Sequence, residues 1–134
     1  MTQLAIEKIL WIKPNEGIAA SGRIPKESEF FKDHFPDYPI LPGVLALEML
    51  KQTAEAYFNQ QPDTRKEHYF LRELKGTRFS LYLKPGDVWE SKLQLISEEG
   101  CTSTWKGELM HDGRVAVTAQ LVMEARPVQD AVNH

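Results

Sequence analysis

One stretch of this chain constrains the fold more than any other: residues 43–59, GVLALEMLKQTAEAYFN. It follows a loop in which Pro36, Pro39 and Pro42 sit three apart. Each proline fixes its own φ and biases the preceding residue away from helix, so residues 33–41 are expected to be extended and stiff. Pro42-Gly43 ends the loop, and a helix is expected from Gly43 to Asn59, about 25 Å long at 1.5 Å per residue. Val44, Leu45, Ala46, Leu47, Met49 and Leu50 place apolar side chains on every side of its first two turns. A helix apolar all round is normally buried. One small sheet covers only one side of it, so a partner subunit is expected on the other.

The rest of the chain reads mainly as strands. Residues 4–13 suit a strand or a short helix, Pro14 to Gly17 a turn, and Ile18 to Ile24 a second strand. Ser28 with Phe30 and Phe31 suggests a short helical turn. After a polar linker, period-two patterns run over 68–80, 88–98, 101–110 and 114–124. Turn signals lie at Pro85-Gly86, Glu99-Gly100 and Asp112-Gly113, and Asp-Gly is a strong hairpin signal. One long helix against an antiparallel sheet, with the last four strands as a meander, is an α+β layer architecture. The expected organisation is a single domain over residues 1–128 and a flexible tail at 129–134.

Composition narrows the function. Sixteen basic against nineteen acidic residues give a formal charge of −3, without the basic excess of a nucleic-acid binder. The single cysteine, Cys101, excludes an internal disulfide and a multi-cysteine metal cluster, and reads as a strand packing residue. No stretch approaches the roughly 20 apolar residues that span a bilayer, and no signal-peptide pattern opens the chain. A cytoplasmic protein, without nucleic-acid or membrane partners, is expected. His68, His111 and His134 show no metal-ligand spacing. Trp11, Trp89 and Trp105 read as core or interface aromatics.

Three residues around the helix start carry chemistry. Glu48 is the one charged residue between Gly43 and Leu50. A carboxyl held in apolar surroundings is a candidate general acid or base, whereas one that faces water through a gap in the packing is not; both placements suit the sequence. His34 sits in the stiff loop, where an imidazole titrating near neutral pH can take and give a proton, or simply pack. Gly43 opens the helix, where unpaired N–H groups and partial positive charge are available to a ligand oxygen. A base, a carboxyl and an oxyanion site on one loop-helix unit suit proton removal next to a carbonyl, or loss of water from a β-hydroxy thioester.

The string His34-Phe35-Pro36-Asp37-Tyr38-Pro39-Ile40-Leu41-Pro42-Gly43-Val44-Leu45, followed by Glu48 and Gln52, resembles the active-site signature of the 3-hydroxyacyl-[acyl-carrier-protein] dehydratases, most closely the FabZ type. Arg78-Phe79 and Pro85-Gly86-Asp87 look like further landmarks of that family. The resemblance covers roughly residues 15–125. It implies a hot-dog fold, in which a sheet wraps one helix, and a homodimer joined sheet edge to sheet edge, with a trimer of dimers as a further assembly. It implies that His34 removes the Cα proton, that Glu48 of the partner chain handles the leaving β-hydroxyl, and that the Gly43 N–H holds the thioester carbonyl. It implies no cofactor and no metal. The function expected is dehydration of 3-hydroxyacyl thioesters on acyl carrier protein to trans-2-enoyl thioesters, in fatty acid synthesis or a specialised lipid or polyketide-type pathway. A hot-dog thioesterase and a non-catalytic acyl-binding subunit are the alternatives.

The chain departs from that pattern at Asp33, where glycine is usual, and at Lys51, where alanine is usual. Asp33 is expected either to set a negative charge beside His34, favouring the imidazolium, or simply to face water. An acyl carrier protein is acidic, so Arg72, Lys75, Arg78 and Lys84 are candidates for its docking surface, or else part of a solvated sheet face.

Overall fold

The computed structural model describes residues 6–25, 43–60 and 67–127. Two strands, β1 (Lys8–Lys13) and β2 (Gly17–Arg23), precede the helix α1 (Gly43–Asn59). Four strands follow: β3 (Glu67–Phe79), β4 (Val88–Glu99), β5 (Thr102–His111) and β6 (Arg114–Pro127). All six form one antiparallel sheet in the order β1-β2-β4-β5-β6-β3, with α1 packed on one face. This is the α+β hot-dog architecture expected.

The helix has the expected bounds, and residues 8–13 resolve to a strand. Its buried residues are Ala46, Met49, Leu50, Thr53, Ala54 and Tyr57, spaced three and one apart along one stripe. Within this chain the sheet covers one side of the helix, as expected, and the other side is the one expected to meet a partner. Val44 is 70% exposed, and Leu45 and Leu47 are only partly buried, because the sheet reaches one side of the helix alone.

The strand alternation is clearest in β4. Trp89, Ser91 and Leu93 face inward, while Val88, Glu90, Lys92 and Gln94 face out. Trp105 and Leu109 of β5, with Val117, Leu121 and Met123 of β6, complete the floor under α1. Gly107 is part of this floor because a Cβ there would lie 2.8 Å from Leu93 Cδ2 and 3.0 Å from Leu121 Cδ1. A buried polar pair ties helix to sheet: Thr53 Oγ1 donates to Met49 O at 2.8 Å and lies 2.6 Å from Ser91 Oγ. At the far end of α1, the Tyr57 and Phe58 rings pack edge-on to Trp105, and Tyr57 Oη accepts the N–H of Asn15 at 2.8 Å. Asn15, at φ 66°, turns the β1–β2 hairpin.

The strand order corrects the expected four-strand meander. β4, β5 and β6 are consecutive neighbours, turned at Gly100 and at Asp112-Gly113, all with positive φ. β3 lies beyond β6 at the sheet edge, not beside β4. Residues 80–87 are therefore a crossover connector rather than a hairpin turn, and Pro85-Gly86 turns the chain within it. Cys101 is also corrected. It is exposed at the β4–β5 turn, with its carbonyl held by Ala125 N at 2.8 Å. Trp89 and Trp105 are fully buried, while Trp11 is 36% exposed with Lys13 over its ring.

Candidate active site

Of the three candidate residues, the structure describes Gly43 and Glu48. His34 lies outside the described residues, as do the expected helical turn near Ser28, the proline-punctuated loop and the tail.

Gly43 is the first residue of α1. The opening turn of a helix leaves N–H groups without intrahelical partners and a partial positive charge, the requirement for binding an oxygen that gains negative charge. The first turn holds no acidic side chain to compete for that position. The glycine has a structural cause as well. The Phe79 ring lies against it, and a Cβ would meet Phe79 Cε1 and Cζ at 2.9 Å. Phe79 ends β3, so the edge strand forms one wall of the helix start.

Glu48 stands about 7.5 Å further along the helix axis. Its side chain is half-buried, off the stripe that faces the sheet. Gln52 Nε2 donates to Glu48 Oε2 at 3.4 Å, one turn on. The carboxylate is therefore neither sunk in the core nor freely solvated. The side of α1 that carries it is the side the sheet leaves uncovered, beside the exposed Val44 and the partly buried Leu45. Lys51, the departure in the helix, pairs with Glu55 at 3.4 Å and so acts on the helix surface.

Arg72, Lys75 and Arg78 are exposed on β3, and Lys84 is exposed in the connector. Lys75 Nζ lies 4.0 Å from Glu73 Oε2. Among the described residues β3 neighbours β6 alone, with its second edge unpaired. The contact of Phe79 with Gly43 was not legible in the sequence, since nothing local links positions so far apart. The bond from Ile24 N to Asp87 O, 2.8 Å, was equally hidden.

The family model of the ApeI-like dehydratases matches residues 12–117. This chain belongs to the ApeI-like dehydratase family. Among curated relatives, a 3-hydroxyacyl-[acyl-carrier-protein] dehydratase FabZ from Oceanobacillus iheyensis is 32% identical over 118 residues, 88% of this chain and 84% of its own length. Another protein of that name, from Burkholderia cenocepacia, is 32% identical over 133 residues, covering 96% of this chain and 84% of its own. The similar solved structures include the dehydratase heterocomplex ApeI:P from Xenorhabdus doucetiae. The matched chain has a TM-score of 0.78 at 15% identity, covering 97% of this chain and 88% of its own. A thioesterase from Pseudomonas aeruginosa shares the fold at a TM-score of 0.67 and 16% identity, over 90% of this chain and 81% of its own. At such identities the structural matches bear on the fold, and the ApeI-like match and FabZ relatives on the family. No helix among the described residues is long and apolar enough to cross a membrane.

Proposed function

We propose that this protein is a hydro-lyase that dehydrates 3-hydroxyacyl thioesters to trans-2-enoyl thioesters, with acyl carrier protein as the carrier. The observation that carries the reading is the half-buried Glu48 carboxyl group on α1, held by Gln52 and following a glycine helix start within the family string.

In this reading His34 takes the Cα proton as base, and the electron pair left on Cα forms the Cα–Cβ double bond. The β-hydroxyl departs with a proton delivered by Glu48 and leaves as water. The Gly43 N–H holds the thioester oxygen while it gains enolate character. General acid and base groups each contribute about 10² to 10⁴ in rate. Water and a conjugated thioester are the only products, so the balance needs neither metal nor redox cofactor.

The reading includes a second subunit. The edge of β3 that is unpaired among the described residues, and the side of α1 away from the sheet with Val44 and Leu45, support it, because both would gain from burial. We take the partner to be a second copy joined through β3, with Glu48 of one chain serving His34 of the other. The exposed Arg72, Lys75, Arg78 and Lys84 support docking of an acidic carrier protein.

The test is turnover of a short 3-hydroxyacyl/2-enoyl thioester pair on acyl carrier protein and on coenzyme A, followed by the enoyl absorbance. Turnover lost in His34→Ala and in Glu48→Gln is expected. Unchanged turnover in both variants would refute the site. Release of free thiol without enoyl formation would establish the thioesterase instead.

A further inference from the structure

The end of β3 is turned by an extra residue. Along the ladder with β6, Lys75 lies opposite Gln120 and Arg78 opposite Thr118, so β3 advances three residues while β6 advances two. Gly76 falls within this irregularity at φ 59°, with nothing within 4 Å of the place a Cβ would take. Its glycine therefore answers to the backbone of a bulge and not to crowding. Residues directly opposite in an antiparallel pair share a face of the sheet. Phe79 lies opposite Val117, which is 2% exposed in the floor under α1. In an unbroken ladder from Lys75 and Gln120, Arg78 would stand opposite Val117, and a guanidinium would take the side that the ring now takes.

The ring so aimed meets the helix start. Cε1 and Cζ of Phe79 lie 2.9 Å from the Cβ position of Gly43, and that position and the Gly43 nitrogen are both bonded to the same Cα. Phe79 is nevertheless 46% exposed, and Val44, the next residue of α1, is 70% exposed. The ring thus rests on the first residue of the helix and keeps an open part beside it. The backbone that carries it is fixed. Ser80 N and Leu81 N both donate to Ala116 O, at 2.7 and 3.3 Å, and Leu83 is 2% exposed. A bulge next to a functional site commonly serves to re-aim one side chain.

We propose that Phe79, aimed by the Gly76 bulge, is a specificity-determining residue whose ring walls the acyl Cα, so that thioesters unbranched at that carbon are admitted and those with a methyl group there are disfavoured. The inference deepens the reading in which the Gly43 N–H holds the thioester oxygen, and it rests on that reading. An oxygen accepting this N–H sits about 2.9 Å from the nitrogen. The acyl Cα is bonded to the carbon that bears the oxygen, which brings it within reach of a ring already in contact with Gly43. An unbranched Cα presents only hydrogens to the ring, whereas a methyl group needs space that a fixed wall does not yield. One methylene-sized group more or less in an apolar pocket changes a specificity ratio by about 10- to 200-fold.

The experiment compares kcat/KM for 3-hydroxybutyryl and 2-methyl-3-hydroxybutyryl thioesters on acyl carrier protein, in the wild-type chain and in Phe79→Ala. The wild type is expected to favour the unbranched substrate by at least about 10-fold. Phe79→Ala is expected to cut that ratio by about 10-fold or more, through a gain on the branched substrate. A merely structural role of the ring would lower both values together and leave the ratio as it was, which overturns the proposal, as does a wild type indifferent to the branch. Should Phe79→Ala fail to fold, Phe79→Leu keeps an apolar side chain of smaller reach and is read in the same way. A wild-type chain without enoyl turnover would refute the dehydratase reading. The proposal is then decided by calorimetric binding of butyryl- and isobutyryl-[acyl carrier protein], isomers that differ in the branch. Tighter binding of the butyryl form that is levelled in Phe79→Ala upholds it. Binding that ignores the branch, or no binding of either, overturns it.

Discussion

The Thr53–Ser91 pair sets how α1 sits on β4, and its geometry makes an unequal prediction for its two members. Thr53 Oγ1 donates to Met49 O, so its one proton is used and Ser91 Oγ must donate across the 2.6 Å contact. Both side chains are fully buried. Ser91→Ala removes one hydrogen bond and leaves the Thr53 hydroxyl still bonded to Met49 O, a cost of about 1 kcal/mol. Thr53→Val preserves volume but leaves Ser91 Oγ buried with no other partner among the described residues. Its cost adds a desolvation penalty of 1–3 kcal/mol to the lost bond, in total about 3 kcal/mol. For a chain of 134 residues, each kcal/mol corresponds to about 4 °C in the unfolding midpoint. Thr53→Val should therefore unfold about 8 °C below Ser91→Ala. In the double variant no hydroxyl is stranded, so it should be more stable than Thr53→Val alone. Thermal unfolding by circular dichroism at matched concentration measures all three. A Ser91→Ala chain as unstable as Thr53→Val, or a double variant less stable than either, would refute this account of the helix–sheet contact.

Gly107→Ala forces a methyl group against Leu93 Cδ2 and Leu121 Cδ1 in the floor under α1. It should cost about 1–3 kcal/mol by overpacking, read as a lower unfolding midpoint. Glu48→Gln keeps the size of a side chain that is only half-buried, so it should lower kcat by at least about 10²-fold while leaving the unfolding midpoint within a few degrees. Reversing Lys75 and Arg78 together to glutamate should raise KM for a carrier-bound substrate more than for a short thioester. Equal changes in the two KM values would remove those residues from the docking surface.

Local signals in the sequence were enough for α1 and the strands after it, while residues 4–13 suited strand and short helix alike. Pro42-Gly43 and the apolar run behind it mark a helix whose bounds match α1, and Asp112-Gly113 marks a hairpin because both residues must adopt positive φ. The alternation from Trp89 to Leu93 likewise names the inward face of β4 before any packing is known. These are short-range properties: backbone preference and periodicity act within a few residues. The common placement of Gly43, Glu48 and Gln52 was legible for the same reason, since all three lie on one helix.

Tertiary structure alone decided the rest. A period-two strand does not record its neighbour, so the place of β3 beyond β6 became visible only in the ladder. Cys101 has a strand-like context yet sits at an exposed turn, because the β4–β5 reversal falls at that residue. The helix start looked apolar all round, but the packing puts the stripe from Ala46 to Tyr57 on the sheet, with Thr53 reaching Ser91, and Val44 falls on the other side. Phe79 against Gly43, and Asp87 bonded to Ile24, join residues distant in sequence. Such contacts arise when loop closure is offset by burial and hydrogen bonding across the whole sheet, and no local pattern encodes that balance.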